Sequence, residues 1–234
     1  MPFAYVTVNT LKGTGVLNID GTAYDGALRR VSETVSNHID RHSNRNFQPR
    51  TETLTFDGDN TTLLHVPDLL VVTTLKEDTN RDGTFETTWA STDYLFYPRN
   101  AQPTATWGRA YEYLMVNPMS NGTEDVFLAG PNLYEIVGTW GYNRVLTTAV
   151  TATGSALVGS GSLGSTATAY TMSGGNGSGI EIGHTILVDT EQMYVRDIDS
   201  AGTKLTVTRA VNGSTAGTHA DAVAINLYTY PSPV

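Results

Sequence analysis

Pro49-Arg50-Thr51-Glu52-Thr53-Leu54-Thr55-Phe56-Asp57-Gly58-Asp59-Asn60 is the stretch on which the fold class turns. From Thr51 to Phe56 polar and apolar side chains alternate, the period of a half-buried strand. Asp57-Gly58-Asp59-Asn60 then supplies a turn signal. Before Pro49 the period is different. Tyr24, Leu28, Val31, Val35, Ile39 and His42 recur every three or four residues, which predicts a helix with one apolar stripe facing a core. Thr22 followed by Asp25 resembles a capping box, so the helix is expected to start there. Arg29 lies four residues from both Asp25 and Glu33. Arg30, Thr34, Asn37, Arg41 and Arg45 fall on the opposite, solvated side. Further upstream, Thr7 to Gly13 or Gly15 reads as a short helix, although Tyr5-Val6-Thr7-Val8 also suits a strand.

Downstream of the decisive stretch, strands are predicted at Leu63–Pro67, Leu70–Leu75, Asp93–Tyr97, Tyr111–Val116 and Tyr134–Trp140. A hairpin is predicted to turn at Asn80-Arg81-Asp82-Gly83. Residues 1–147 therefore read as an α+β domain with a small mixed core. Residues 148–234 differ in habit. No charged residue occurs from Val145 to Ile180, and nine of the 23 glycines lie between Gly154 and Gly183. Ser160–Ser178 can be read as a linker, but Ala156–Val158 and Ala167–Met172 carry strand formers. Strands are clearer at Thr185–Val188, Gln192–Arg196, Lys204–Arg209 and Ala222–Ile225, with turns at Asp199–Gly202 and Asn212-Gly213. This second region reads as a glycine-rich β module. Its tail, Tyr228 to Val234, carries Pro231 and Pro233 and reads as an edge strand or docking arm.

Composition narrows the function. The 234 residues contain no cysteine, which excludes disulfides and thiolate metal clusters. No run of about 18 apolar residues and no basic-plus-apolar leader occurs, so neither a membrane span nor usual secretion is expected. Fourteen Lys and Arg stand against 23 Asp and Glu. That balance argues against gripping a phosphate backbone, even though Arg29 to Arg50 holds five arginines.

Motifs that carry chemistry are few. Asp78-Thr79-Asn80-Arg81-Asp82-Gly83 matches the first half of a calcium loop, making Asp78, Asn80 and Asp82 a weak metal candidate. Trp89 stands where a bidentate Glu belongs, and a hairpin turn selects the same residues. His38 and His42 are four apart, but Ile39 replaces the glutamate of a zinc-protease helix. No serine elbow and no phosphate-cradling glycine loop is present; Gly159–Ser162 and Gly177–Gly179 are glycine-serine repeats. No catalytic residue and no cofactor is expected. Trp89, Tyr94, Phe96, Tyr97, Trp107, Tyr111 and Tyr113 suit either a sugar-stacking platform or, more commonly, a sheet core or subunit interface.

Several stretches, taken in order, resemble the head–tail connector (adaptor) proteins of tailed phages. They are Ile39-Asp40-Arg41-His42-Ser43-Asn44-Arg45-Asn46-Phe47-Gln48-Pro49, Thr51–Gly58, His65–Val72, Thr92–Asn100 and Val137–Tyr142. After Tyr142 the chain departs from such adaptors, which commonly continue into helices. Here Glu181–Val195 and Leu205–Thr215 resemble a β element of other phage virion proteins. The resemblance implies a structural protein at the head–tail neck of the virion, assembled in the host cytoplasm as a dodecameric ring. Its partners would be the portal, tail or neck proteins and further copies of itself, with packaged DNA passing through. Arg30, Arg41, Arg45, Tyr228, Tyr230 and Pro231 are the expected interface residues. The rival expectations are a virion adhesion or carbohydrate-binding protein and a phage-tail glycosidase.

Overall fold

A computed structural model describes residues 4–105, 108–120, 122, 124–142, 145–150, 169–171, 179–200, 202, 204–219, 223 and 225–229. The chain is mostly β, with two antiparallel six-stranded sheets and two helices of five and 19 residues. The helical share is lower than an α+β reading suggests, and about 40% of the chain is strand.

Two compact units are present. One is the continuous segment 46–145; the other joins residues 1–45 to 146–234. The division differs from the sequence boundary at 147/148, because the N-terminal helices belong with the C-terminal module rather than with the first sheet. The reason is local bonding. The Val8 N–H donates to the Ile182 carbonyl at 3.0 Å, and the Thr7 hydroxyl donates to the Glu181 carboxylate. Ala4 is buried with Tyr194 and Val211.

Within the 46–145 unit the strands are β1 (Arg50–Gly58), β2 (Leu63–Glu77), β3 (Thr87–Trp89), β4 (Tyr94–Tyr97), β5 (Tyr111–Val116) and β6 (Gly130–Trp140). Their order is β1-β6-β2-β5-β4, with β3 also on β2. The two strands predicted on either side of Pro67 are one 15-residue strand. Pro67 is tolerated because the register with β5 shifts between His65 and Leu69, where no ladder donor is needed at its position. The core gathers Leu64, Leu69, Leu75, Leu114, Ile136 and Trp140 with an aromatic knot. Trp89 stacks on Phe127 at 4.9 Å, and Tyr134 meets Phe127 edge-on at 5.2 Å. The two buried indoles keep partners: Trp89 Nε1 donates to Glu77 Oε2 and Trp140 Nε1 to the Glu52 carbonyl, both at 2.9 Å.

The other unit holds α1 (Val8–Lys12), α2 (Asp25–Ser43), β7 (Val145–Val150), β8 (Ala169–Thr171), β9 (Thr185–Val188), β10 (Glu191–Ile198), β11 (Lys204–Thr208) and β12 (Ile225–Thr229). The sheet runs β7-β12-β9-β10-β11-β8 over a core of Ile186, Val188, Met193, Val195, Leu205, Val207 and Ile225. α1 begins at the expected Thr7 cap, whose hydroxyl accepts the Thr10 N–H. α2 starts at Asp25 rather than Thr22 and has no side-chain cap, since Asp25 pairs with Lys12 at 2.8 Å. Asn44 closes it in the left-handed conformation. Tyr228 lies inside β12, a strand flanked by β7 and β9, and is buried. It is therefore a ladder residue of its own sheet and not part of a free docking arm. Tyr230 and Pro231 lie outside the described residues, as do Ala156–Val158, the residues 160–178 read as a linker save 169–171, and Trp107.

Candidate functional site

The helix α2 is turned the opposite way from its amphipathic pattern. Its buried positions are Ser32 and Ser36, while Tyr24 (61%), Val31 (58%), Val35 (51%) and Ile39 (42%) are exposed. Small side chains on the inner side let the N-terminal segment lie close against the helix. The Tyr5 N–H donates to Ser36 Oγ at 3.0 Å, Ser32 Oγ donates to the Val6 carbonyl at 3.0 Å, and the Tyr5 hydroxyl reaches Asp40. Ser36 Oγ also returns a hydrogen bond to the Ser32 carbonyl at 2.8 Å, so the buried hydroxyls are satisfied.

The helix carboxylates are likewise committed inward: Asp25 to Lys12, Glu33 to Arg29 at 2.6 Å, and Asp40 to Tyr5. Arg30, Arg41 and Arg45, all predicted interface residues, are exposed. Arg30 and Arg41 make no ion pair among the described residues. His38 and His42 are both exposed, their rings 6.2 Å apart, so His42 is not the half-buried residue its place in the stripe suggests. The result is an outward face of apolar side chains edged by guanidinium groups.

A second constellation was not singled out by sequence reading. Glu191, 1% exposed, accepts from Arg209 Nε and Nη2 at 2.7 and 2.5 Å, from the Ala210 and Gly217 N–H groups at 3.0 Å each, and contacts His219 Nε2 at 2.9 Å. The other ring nitrogen of His219 lies 2.8 Å from Asp189 Oδ2. Burial alone would raise the Glu191 carboxyl. The hydrogen bonds from Arg209, Gly217, His219 and Ala210 outweigh it and hold the group at about 2. Every atom of this set ties the loop 209–219 to β9 and β10, so its work is to close the module. The residues lie in one run of sequence but 18 to 28 positions apart, and no short motif marks them.

The candidate calcium loop is complete as a turn. Asp78 Oδ1 accepts the Arg81 and Asp82 N–H groups at 2.6 and 3.2 Å, and Oδ2 accepts the Gly83 N–H at 2.8 Å. Asn80 Oδ1 accepts the Asp82 N–H at 3.0 Å, and Asp82 Oδ1 accepts the Thr84 N–H at 2.8 Å. The third carboxylate near Asp78 and Asp82 is Glu86, within 4.8 Å, a residue the motif did not point to. These oxygens are of the type a divalent cation takes.

The aromatic set divides between two roles. Trp89, Tyr94, Phe96 and Tyr111 belong to the core. Tyr97 and Tyr113 stack on one another at 5.3 Å and 8°, with Arg99 5.9 Å from the Tyr97 ring and His65 5.7 Å from Tyr113. Rings that face each other offer edges to a ligand, a poor platform for a sugar. A cleft of about 790 Å³ in the unit formed by residues 1–45 and 146–234 is lined by both signs of charge, including Lys12, Arg29, Arg196, Asp25, Asp197 and Asp199.

Compared with protein-family models, curated proteins and solved structures, the chain has no match in any of the three. Among the described residues no helix is long and apolar enough to cross a membrane.

Proposed function

We propose that this chain is a structural virion protein, a head-to-tail adaptor that assembles as a ring below the portal, joins the DNA-filled capsid to the tail and lines the DNA channel. The observation that carries the reading is the outward apolar face of α2. A folded unit that buries serines and exposes a tyrosine, two valines and an isoleucine along one helix has a surface made to be covered. The resemblance of residues 5–143 to phage connectors points the same way, and so does the acidic balance, which suits a channel that DNA traverses without adhering. The titratable groups with displaced pKa values serve hydrogen-bond networks that brace the fold. Affinity in such a ring comes from many modest subunit contacts acting together.

The alternative, an adhesion or carbohydrate-binding protein of the tail, draws less support, because the rings offered for stacking lie in the core or against each other. Reconstitution with the portal, followed by electron microscopy, tests the proposal. A ring at the portal's lower face is expected. Density at a fibre tip or baseplate with the portal face empty would overturn it and favour adhesion.

A further inference from the structure

The 46–145 unit has an end that complements the α2 face. Three connections converge there: the β1–β2 turn, the β2–β3 loop and the segment leading into β6. They are tied together by Asn60 N–H to the Phe127 carbonyl at 2.8 Å, by Asn132 N–H to Asp57 Oδ1 at 2.7 Å and by Arg81 Nη2 to the Ala129 carbonyl at 3.0 Å. Asp57, Asp59, Asp82, Glu86 and Asp125 are exposed on these connections, and Leu128 is exposed among them. Arg81, the cation of this end, already has the Ala129 carbonyl as a partner. Across residues 46–145 as a whole, 13 carboxylates stand against six Lys and Arg. One surface of the chain is thus apolar and basic, and another is acidic with an apolar centre.

We infer that α2's outer face is one half of a subunit–subunit contact, and that its occupant is the acidic end of the 46–145 unit in a second copy of this chain. Charge selects that occupant. Pairing α2 with α2 of another copy would set arginines against arginines, whereas the acidic end brings carboxylates to Arg30 and Arg41 and an apolar centre to Val31, Val35 and Ile39. The exposed parts of Tyr24, Val31, Val35 and Ile39 come to about 400 Å² of apolar surface, within the range at which a patch on a monomer marks an interaction site. Joining two different surfaces makes the contact heterologous, the kind that propagates from copy to copy and closes into a ring when the rotation permits. This inference deepens the adaptor reading and rests on it for the ring, but the contact itself is testable without a portal.

Sedimentation velocity of the full chain at low salt is the test, with three variants: R30E/R41E on the helix, D59K/D125K on the acidic end, and V35D in the apolar stripe. All substituted positions are exposed, and circular dichroism checks that each variant is folded. The wild-type chain is expected to self-associate with rising concentration, and less so at high salt, where surface charges are screened. Each variant alone is expected to associate about tenfold more weakly or less. Mixing R30E/R41E with D59K/D125K is expected to restore association, because each mutated surface then meets its new opposite. A wild-type chain that stays monomeric, an association indifferent to the variants, or a mixture that fails to recover would overturn the assignment. Portal binding of V35D separates this inference from the adaptor reading. A monomeric wild type whose portal binding is lost in V35D assigns the face to the portal, which ends the inference and keeps the reading. A restored charge-swap mixture with no portal ring keeps the contact and ends the reading.

Discussion

Glu191 shows how a single carboxylate sets the pH range of a module. Its value is about 2 in the folded protein against about 4.5 when free, so the unfolded chain takes up the proton first as pH falls. The stability it supplies is complete above pH 4.5, declines below that and is gone near pH 2. Urea unfolding between pH 5 and pH 2 is expected to show the midpoint falling through that window, and Glu191→Gln is expected to flatten the fall. Glu191→Ala at neutral pH leaves Arg209 buried without its counter-charge and is expected to cost about 3–5 kcal/mol. Asp78 works by hydrogen bonding instead. Removing its two oxygens in Asp78→Ala orphans the three N–H groups of Arg81, Asp82 and Gly83 and is expected to cost about 2–3 kcal/mol, read from the same denaturation curves.

At the scale of elements, α2 separates pattern from orientation. Apolar spacing located the helix to within a few residues, yet the same spacing implied that Val31, Val35 and Ile39 face the core. Periodicity reports that two faces differ; which one is covered depends on partners 26 to 35 residues away, at Tyr5 and Val6. Ser36→Leu is therefore expected to destabilise by about 1–3 kcal/mol through overpacking, while Val35→Asp stays within about 0.5 kcal/mol in the monomer, the reverse of what the helical pattern suggests. The strand β5 was legible residue for residue, because its alternation is unbroken from Tyr111 to Val116. β2 was not, because Pro67 reads as a stop and only its place at a register shift makes it admissible. In β6, a Cβ at Gly138 would meet the Val71 carbonyl oxygen at 2.5 Å. Gly138→Ala is expected to push β2 and β6 apart and cost about 1–3 kcal/mol, with hydrogen exchange rising in both strands. The Glu191 set was illegible for a different reason: its members are joined only when the loop 209–219 folds back on β10.

For the whole molecule, the two units carry separate cores, so full-chain unfolding is expected in two transitions rather than one. Glu191→Ala is expected to lower one transition and Gly138→Ala the other, which differential scanning calorimetry resolves. A single transition shifted by both substitutions would show that the units unfold together. Sequence habit distinguished a mixed first region from a glycine-rich second one, and the crossing near residue 147 falls where the composition changes. The crossing at 45/46 carries no such mark. Helix and strand meet there in a continuous phrase, and only the bonds from Thr7 and Val8 to Glu181 and Ile182 reveal that the helices belong elsewhere.

That arrangement gives the protein an order of events on the ribosome. The helices emerge first, but the strands they rest against are translated last, after the whole of residues 46–145. The interrupting unit is continuous in the chain and can fold as soon as it clears the exit tunnel, while α1 and α2 wait roughly ten seconds or more for β9 to β12 at ordinary elongation rates. A nascent chain stopped short of residue 180 carries a finished 46–145 body and an unfinished helical platform, so premature termination products are barred from the assemblies that complete chains enter.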